Sequence, residues 1–379
     1  MPESQRQLNN ISFLKGIAIL GVVFVHSAVC IEDIDIYLRQ VTRVGQFGCQ
    51  LFFLLSGYLM MCSWNRLNNN LSFIGKTYVF YRKRIIAILP VYATVVLFYQ
   101  ALSFLIEYWI DSSSFYEIRH DIYSILLNLL LLHGFDFFNF NNIVPGGWFI
   151  GTIFLFYIMF PVIKVIYDNI ERKNPSMLRY IPLFSVAISF IVQLLICLCI
   201  GNWEMSKRGG YLYYSVLNQL PCMLLGMNIS ITSIDSYMKS KSRFFVLSMT
   251  LFFCVLSLIL FYVFRKEYYV FIFLPFTLAL MFYYFYYYIV KLSLTTPFSK
   301  GYLYKIINRW GEMSFAIYFS NFIAGMLFPW FLILLIKSLG FTFNPTLLFF
   351  GLLPIVFLFS YIIAIPINKY IDFCKKRIS

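Results

Sequence analysis

Charged residues are scarce in this sequence. Of its 379 residues only 12% are Asp, Glu, Lys or Arg, whereas 61% are hydrophobic and 21% are aromatic. This composition excludes a soluble domain of comparable size, which needs a much larger polar surface. The apolar runs are separated by connections of at most about twenty residues, without an internal repeat. We therefore expect one integral membrane domain over 1–379, in which the helix bundle itself carries the function.

Two common kinds of catalytic site are also missing. The eight cysteines lie almost entirely within apolar runs and lack the paired spacing of metal ligands, so we interpret them as packing residues and expect no metal. The chain has no G-x-S-x-G elbow of a serine hydrolase. Its net charge of +14 does not indicate nucleic-acid binding, because the basic residues lie in short loops between apolar runs.

Ten apolar runs are long enough to cross a bilayer as helices. They are 11–30, 45–63, 85–109, 147–167, 181–200, 211–232, 244–264, 268–290, 311–336 and 346–368. The first is too long for a signal peptide and has no small-residue cleavage site, so we expect it to be retained. The run 122–133 is too short to span and is typical of a re-entrant or interfacial helix. The predicted fold is all-α, with about ten transmembrane helices and one short helix.

The distribution of basic residues predicts the orientation. With ten spans and a cytoplasmic N-terminus, 21 Lys and Arg residues fall on the inner side and 8 on the outer side, while Lys15 lies inside a span. Counting 122–133 as a span would reverse every later loop, against the positive-inside rule. We therefore expect a multi-pass protein of the inner (plasma) membrane with both termini in the cytoplasm.

The first span contains two ionisable residues, Lys15 and His26. Eleven helical residues make about three turns plus ~20°, so both side chains leave one face, roughly 16 Å apart along the axis. An ionisable group inside a membrane helix usually faces a protein interior or a wet cavity with a function there. Two simpler readings stay open: Lys15 reaches the headgroups, and His26 is a hydrogen-bonded core residue.

Four further stretches stand out. Ser56 and Gly57 interrupt an apolar run, and small residues there usually indicate close helix packing. The cluster Arg82–Arg84 opens the third span and also serves as a cytoplasmic anchor. Trp148 begins the stretch that ends at Pro161, where an interfacial anchor and a kink are the ordinary interpretations. The stretch 310–321 opens a helix after a basic loop.

Together and in this order, these stretches resemble the acyltransferase 3 family of integral membrane acyltransferases over nearly the whole chain. The matching motif residues are Lys15 and His26; Gly45, Gly48, Phe52, Phe53, Ser56 and Gly57; Arg82, Arg84 and Pro90; Trp148, Phe156, Tyr157 and Pro161; Pro221 and Gly226; and Gly311, Ser314, Phe315 and Tyr318. Three positions depart from the pattern. Ile153 and Ile365 stand where many members have Glu, and Asn321 stands where many have His.

The resemblance implies transfer of an acyl group, usually acetyl from cytoplasmic acetyl-CoA, to a hydroxyl of a cell-envelope polysaccharide such as O-antigen or capsule, or of its lipid-linked precursor. His26 is then the base or a transient acyl carrier, and Lys15 positions the thioester end of the donor. Arg82, Lys83 and Arg84 bind the CoA phosphates.

Other side chains are assigned to the substrate or to the oxyanion. Ser56 or Tyr157 donates to the tetrahedral oxyanion, and His133 and Trp148 are candidates for the acceptor site. The expected partners are the acyl-CoA donor, the glycan acceptor and membrane lipid, without nucleic acid.

Two rival interpretations remain at the level of sequence. A transporter or flippase for lipid-linked sugar, polysaccharide or a small metabolite would use the same polar path. It would tend to show inverted repeats and broken helices in matching halves, and no such pairing is found. An inactive relative is the other alternative, prompted by Ile153 and Asn321.

Overall fold

The computed structural model describes residues 3–110, 121–138, 140–141, 143–203, 210–264 and 272–376. Within these ranges the chain is α-helical and contains no β-strand, which confirms the predicted all-α fold. The helices are α1 (Glu3–His26), α2 (Ile36–Arg43), α3 (Gly48–Asn65), α4 (Phe73–Ile110), α5 (Ile122–Leu129), α6 (Trp148–Lys173), α7 (Ile181–Ile200), α8 (Tyr211–Tyr214), α9 (Val216–Ile229), α10 (Thr232–Ser240), α11 (Arg243–Tyr262), α12 (Leu274–Thr295), α13 (Tyr302–Glu312), α14 (Ser314–Phe322), α15 (Phe328–Ser338) and α16 (Pro345–Lys376).

Eight stretches among the described residues are long and apolar enough to cross a membrane. They are Gln5–His26, Ile36–Asn65, Phe73–Ile106, Trp148–Lys173, Pro175–Ile200, Arg243–Tyr262, Ser314–Ser338 and Pro345–Cys374. Their outer faces are strongly apolar, and only 17% of the most apolar stretch of α11 is buried inside the protein. Such a surface is stable only in a lipid environment.

Two of the ten predicted spans, 211–232 and 268–290, are not among these eight stretches. The predicted span 211–232 is divided into α8 and α9 by Ser215, whose backbone is extended. The predicted span 268–290 begins partly outside the described residues and continues as α12, which carries five tyrosines. Tyrosine lowers the mean hydropathy of α12, although its 22 residues are long enough to cross a bilayer.

The short run 122–133 forms α5, which has only eight residues. A helix of that length rises about 12 Å, well below the ~30 Å of a hydrocarbon core. Asp121 caps its start, since its carboxylate accepts a hydrogen bond from the Ser124 amide at 2.9 Å. The run therefore does not span as a helix, as predicted from its length.

The described residues fall into two compact units, one within Met1–Phe52 and Tyr288–Arg377 and the other within Phe53–Tyr287. In the first unit, an apolar cluster follows the end of α1 and includes Ile31 and Phe349. In the second unit, the core is strongly aromatic, and the rings of Phe80 and Phe160 stack with centroids 4.9 Å apart. The first unit contains His26 and the second contains the basic cluster.

Candidate active site

His26 is the last residue of α1. The buried Ser27 follows it and donates its hydroxyl to the Phe24 carbonyl at 2.8 Å, where the helix gives way to a turn. The sequence pattern extended this helix to residue 30, so the structure ends it four residues earlier. The predicted same-face relation with Lys15 holds, because α1 is continuous between the two residues.

The imidazole of His26 contacts a second helix of the first unit. Its Nδ1 lies 2.5 Å from the Oδ1 atom of Asn321, and its ring centroid lies 4.3 Å from that of Phe322. A π-helical segment, Ile323–Leu327, begins directly afterwards. A Cβ atom added to Gly325 in this segment would lie 3.3 Å from the His26 Cβ. The imidazole is thus held by a carboxamide, an aromatic ring and a closely packed backbone.

Close backbone crossings fix the path of α1. A Cβ atom on Gly16 would lie 2.0 Å from the carbonyl oxygen of Ile307, and one on Gly311 would lie 1.6 Å from that of Ser12. Any side chain at either glycine would therefore push α1 and α13 apart. The motif glycine Gly311 is explained by this crossing.

Lys15 lies next to the same crossing. It is half-buried in α1 and directly precedes Gly16. Eleven helical residues place it about 16 Å from His26 along the axis, so the two side chains act at different depths of one helix. The structure therefore retains the predicted arrangement of a cation and an imidazole along a single helix face.

The basic cluster lies in α4 of the second unit, a helix of 38 residues. At 1.5 Å per residue α4 is about 57 Å long, so it extends well beyond a ~30 Å hydrocarbon core. Arg82 and Lys83 are exposed, whereas Arg84 is half-buried. These three cations, predicted as one phosphate-binding group, therefore have different surroundings.

Arg84 is held between two aromatic rings. Its guanidinium carbon lies 5.3 Å from the ring centroid of Phe80 and 5.5 Å from that of Tyr157, within the range of cation–π attraction. Its Nε atom is buried and has no hydrogen-bond partner among the described residues. The structure thus brings together two predicted site residues, Arg84 and Tyr157.

The other predicted residues of the second unit lie in more ordinary packing. Trp148 is the first residue of α6, and its ring centroid lies 4.3 Å from that of Tyr214. Ser56 is half-buried in α3. The adjacent Gly57 is a packing point, because a Cβ atom there would lie 2.0 Å from the Met223 carbonyl oxygen. Close helix packing, one of the predicted explanations of the Ser56–Gly57 pair, therefore explains why residue 57 is glycine.

His133 is positioned by the end of α5. Leu131 adopts a left-handed conformation with φ of 61°, and the Leu132 amide donates to the Leu127 carbonyl at 2.8 Å. This is the hydrogen-bond pattern of a Schellman cap, here closed by leucine instead of glycine. The reversal turns His133 inward, where it is 1% exposed.

The imidazole of His133 is hydrogen-bonded to the backbone. Its Nε2 lies 2.9 Å from the Gly147 carbonyl oxygen, and the Tyr92 hydroxyl lies 3.4 Å away. Burial lowers the pKa of His133 from 6.5 to about 4. These contacts tie the connection after α5 to the start of α6.

The three departures from the family motifs differ in their surroundings. Ile153 is buried in α6, whereas Ile365 is 39% exposed on α16, so neither can replace a missing carboxylate. Asn321 is fully buried and contacts the candidate base itself. Phe322 also contacts His26, and the backbone of Gly325 lies close to it. The sequence analysis did not select them, since an aromatic residue and a glycine in an apolar run give no distinct signal.

The predictions for two other polar residues are not addressed by the structure. The polar connection around His120 predicts a solvated side chain, and this residue lies outside the described residues. Glu107, near the end of the third predicted span, is expected to be exposed or else to orient an imidazole, and its side chain is also outside the described part of the chain.

The fold and site define an integral membrane protein with an imidazole fixed at the end of a span, and imidazole serves both base and nucleophilic catalysis. A family model described as an acyltransferase domain matches residues 8–365. The chain therefore belongs to the acyltransferase 3 family and is a membrane acyltransferase. Neither a search of curated proteins nor a search of solved structures found a match. The family match confirms the resemblance and favours the enzyme over the transporter.

Proposed function

We propose that this protein transfers an acetyl group from cytoplasmic acetyl-CoA to a hydroxyl of a cell-envelope polysaccharide, such as O-antigen or capsule, or of its lipid-linked precursor. The observation that carries the proposal is the His26 imidazole, held by Asn321 at the end of a membrane-spanning helix. Burying polar side chains in an apolar membrane span costs free energy, and such residues usually have a function. The family match supplies the reaction class.

The proposed domain is the whole chain, 1–379, because the family model covers most of both compact units. We place it in the inner (plasma) membrane with both termini in the cytoplasm, on the basis of the charge distribution. Reporter fusions within the basic segments 64–84, 164–179 and 291–309 test this topology. A cytoplasmic signal is expected from all three, and an external signal from 164–179 would contradict it.

Arg84 is the residue that we assign to the phosphates of the acetyl-CoA donor. Two flanking rings hold its guanidinium in place, and a planar guanidinium matches the geometry of phosphate oxygens. Arg82 and Lys83 are exposed and add positive potential at the inner end of α4. Lys15, half-buried within α1, is assigned to the thioester end of the donor.

The reaction needs a group that accepts a proton near neutral pH, and His26 supplies it. In one route His26 removes the proton of the acceptor hydroxyl while that oxygen attacks the thioester carbonyl. The C–S bond breaks, a C–O bond forms, and the proton passes from His26 to the departing thiolate. In the other route a ring nitrogen of His26 attacks the thioester carbonyl, so that a C–N bond forms, the C–S bond breaks and CoA leaves as the thiolate. The acceptor oxygen then attacks the acyl-imidazole, so that a C–O bond forms and the C–N bond breaks, and the hydroxyl proton passes to the released imidazole.

The oxyanion and the acceptor need their own partners. Ser56 and Tyr157 are proposed as oxyanion donors because each carries a hydroxyl. Trp148 offers a half-buried aromatic surface for a sugar ring at the start of α6. His133 is the weaker candidate for the acceptor site, because its side chain is 1% exposed and hydrogen-bonded to the Gly147 carbonyl.

Deletion of the gene tests the proposal. The O-acetyl content of the surface polysaccharide, measured by NMR, should fall to background and return when the gene is supplied in trans. An unchanged O-acetyl content would exclude this polysaccharide as the acceptor. Loss of polysaccharide from the surface, with its acetylation intact, would support the flippase instead.

A further inference from the structure

The pairing of His26 with Asn321 decides which nitrogen of the imidazole is reactive. The carboxamide orientation of Asn321 follows from its own hydrogen bonds. Its Nδ2 donates to the Ile317 carbonyl at 3.2 Å and also to the Tyr318 carbonyl. Both amide hydrogens are therefore used within α14, and Oδ1 is the atom that faces His26.

Oδ1 of a carboxamide has no hydrogen to donate. The hydrogen in the 2.5 Å contact must therefore belong to Nδ1 of His26. A neutral imidazole carries only one N–H, so this contact leaves the lone pair on Nε2. We propose that Asn321 is a positioning residue that holds His26 in its Nδ1–H form, so that Nε2 accepts the proton or the acyl group. This proposal rests on the acyl-transfer function proposed above.

The surroundings of the ring support a fixed orientation. Phe322, the next residue of α14, lies against one part of the imidazole with ring centroids 4.3 Å apart. The π-helical segment Ile323–Leu327 then brings the backbone of Gly325 close to the His26 Cβ. π-Helical turns are rare and occur frequently at functional sites. A 180° rotation of the imidazole about its Cβ–Cγ bond would put a C–H in the place of Nδ1 and break the Asn321 hydrogen bond.

A histidine oriented by a third group is the general form of such catalysts, in which aspartate or asparagine fixes the tautomer. Here the orienting group is neutral, so it supplies direction without a charge. The same position holds His in many family members, and a departure there raised the possibility of an inactive relative. The geometry instead gives Asn321 an orienting role.

The chain has only three histidines, His26, His120 and His133, which makes a direct test practical. The full-length protein is labelled with ¹⁵N-histidine in nanodiscs, and single His→Gln variants assign the signals. His26 is expected to be protonated on Nδ1. His133 is an internal reference for the other tautomer, protonated on Nε2, because its Nε2 must donate to the Gly147 carbonyl. A His26 signal protonated on Nε2 would overturn the proposal.

Asn321→Leu removes the acceptor with little change of volume. The Nδ1–H preference of His26 should be lost, and kcat should fall at least about 100-fold with an unchanged donor KM, since a wrong tautomer costs about 10⁴ in the Ser-His-Asp template. Asn321→Asp keeps an acceptor oxygen and should keep the Nδ1–H form. If Asn321→Leu does not fold, loss of the Nδ1–H form in Asn321→Asp would overturn the proposal.

Ser320→Ala is the matched control. Ser320 is equally buried and donates to the Ser360 carbonyl at 2.7 Å. Its removal should leave both the tautomer and kcat near wild type. The Nδ1–H form in the wild type, together with persistent transfer in His26→Gln, would reject the proposed catalytic function while supporting the tautomer assignment. An unchanged His26 tautomer in a folded Asn321→Leu protein would reject the role of Asn321.

Discussion

His26 and His133 are the two histidines within the described part of the chain, and their surroundings differ in kind. His26 is half-buried and bonds through Nδ1 to the side chain of Asn321. His133 is 1% exposed and bonds through Nε2 to the backbone of Gly147. In both rings one N–H is used in a hydrogen bond and the other nitrogen keeps its lone pair. The second nitrogen of His133, Nδ1, is buried, whereas His26 is only half-buried, so His26 is the imidazole that a substrate can reach.

Substituting each histidine tests this comparison with the largest expected effect. In cells lacking the native gene, His26→Gln at wild-type membrane levels should leave the polysaccharide without detectable O-acetyl groups. Gln keeps hydrogen-bonding capacity but cannot take up a proton near neutral pH. His133→Gln should support near-normal O-acetylation, because Gln can still donate to the Gly147 carbonyl. Equal losses in both variants, at equal protein levels, would remove the distinction.

Substitution of Lys15 is expected to have the second-largest effect on activity. Lys15→Ala should lose most of the acyl-transfer activity, whereas Lys15→Arg should retain much of it, since the positive charge on α1 is kept. Transfer of radiolabelled acetyl groups in isolated membranes measures both variants. Retained activity in Lys15→Ala would show that His26 works without the Lys15 cation.

Donor binding should depend on Arg84 more than on Arg82. Loss of a charge-assisted hydrogen bond costs about 1.5–3 kcal/mol, so Arg84→Gln should raise the KM for acetyl-CoA roughly ten- to a hundred-fold. Arg82→Gln should have a smaller effect, because an exposed charge contributes less. Titration of acetyl-CoA against membranes containing each variant measures this. An unchanged donor KM for Arg84→Gln would reduce the cluster to a topological anchor.

The smallest expected effect concerns the acid stability that His133 controls. Its folded pKa is about 4, below the 6.5 of an exposed histidine. Between these pH values the unfolded chain binds a proton that the folded chain does not, so stability is present above pH 6.5 and lost as pH falls toward 4. His133→Gln should therefore lose less thermal stability than wild type between pH 7 and pH 5 in detergent. Parallel losses in both proteins would contradict this.

Much of the fold could be predicted from the sequence, because lipid demands long apolar helices and the lengths of the runs are visible. The shortness of α5 and the close packing at Gly57 were both predicted from the sequence. The extended backbone at Ser215 does not, since hydropathy is insensitive to one non-helical residue inside an apolar run. The left-handed conformation of Leu131 could not be predicted either, because glycine is the usual residue for that conformation.

The candidate site was only partly predictable. His26 and Lys15 stood out because an ionisable residue in a span is rare. Asn321 was noted only as a departure from a family motif, and its hydrogen bond to His26 joins residues 295 positions apart. No local pattern encodes such a pairing. The difference between Arg84 and its exposed neighbours likewise depends on the packing of Phe80 and Tyr157 from two helices.

The most direct test of the central claim is the initial rate of acetyl transfer from radiolabelled acetyl-CoA to polysaccharide in isolated membranes, at equal levels of wild type, His26→Gln and His133→Gln. General-base loss typically reduces a rate ~10²–10⁴-fold, and loss of an acyl carrier reduces it at least as much. We expect a reduction of that size for His26→Gln alone. A His26→Gln rate within about tenfold of wild type, less than 1.4 kcal/mol in the barrier, would show that His26 is a packing residue.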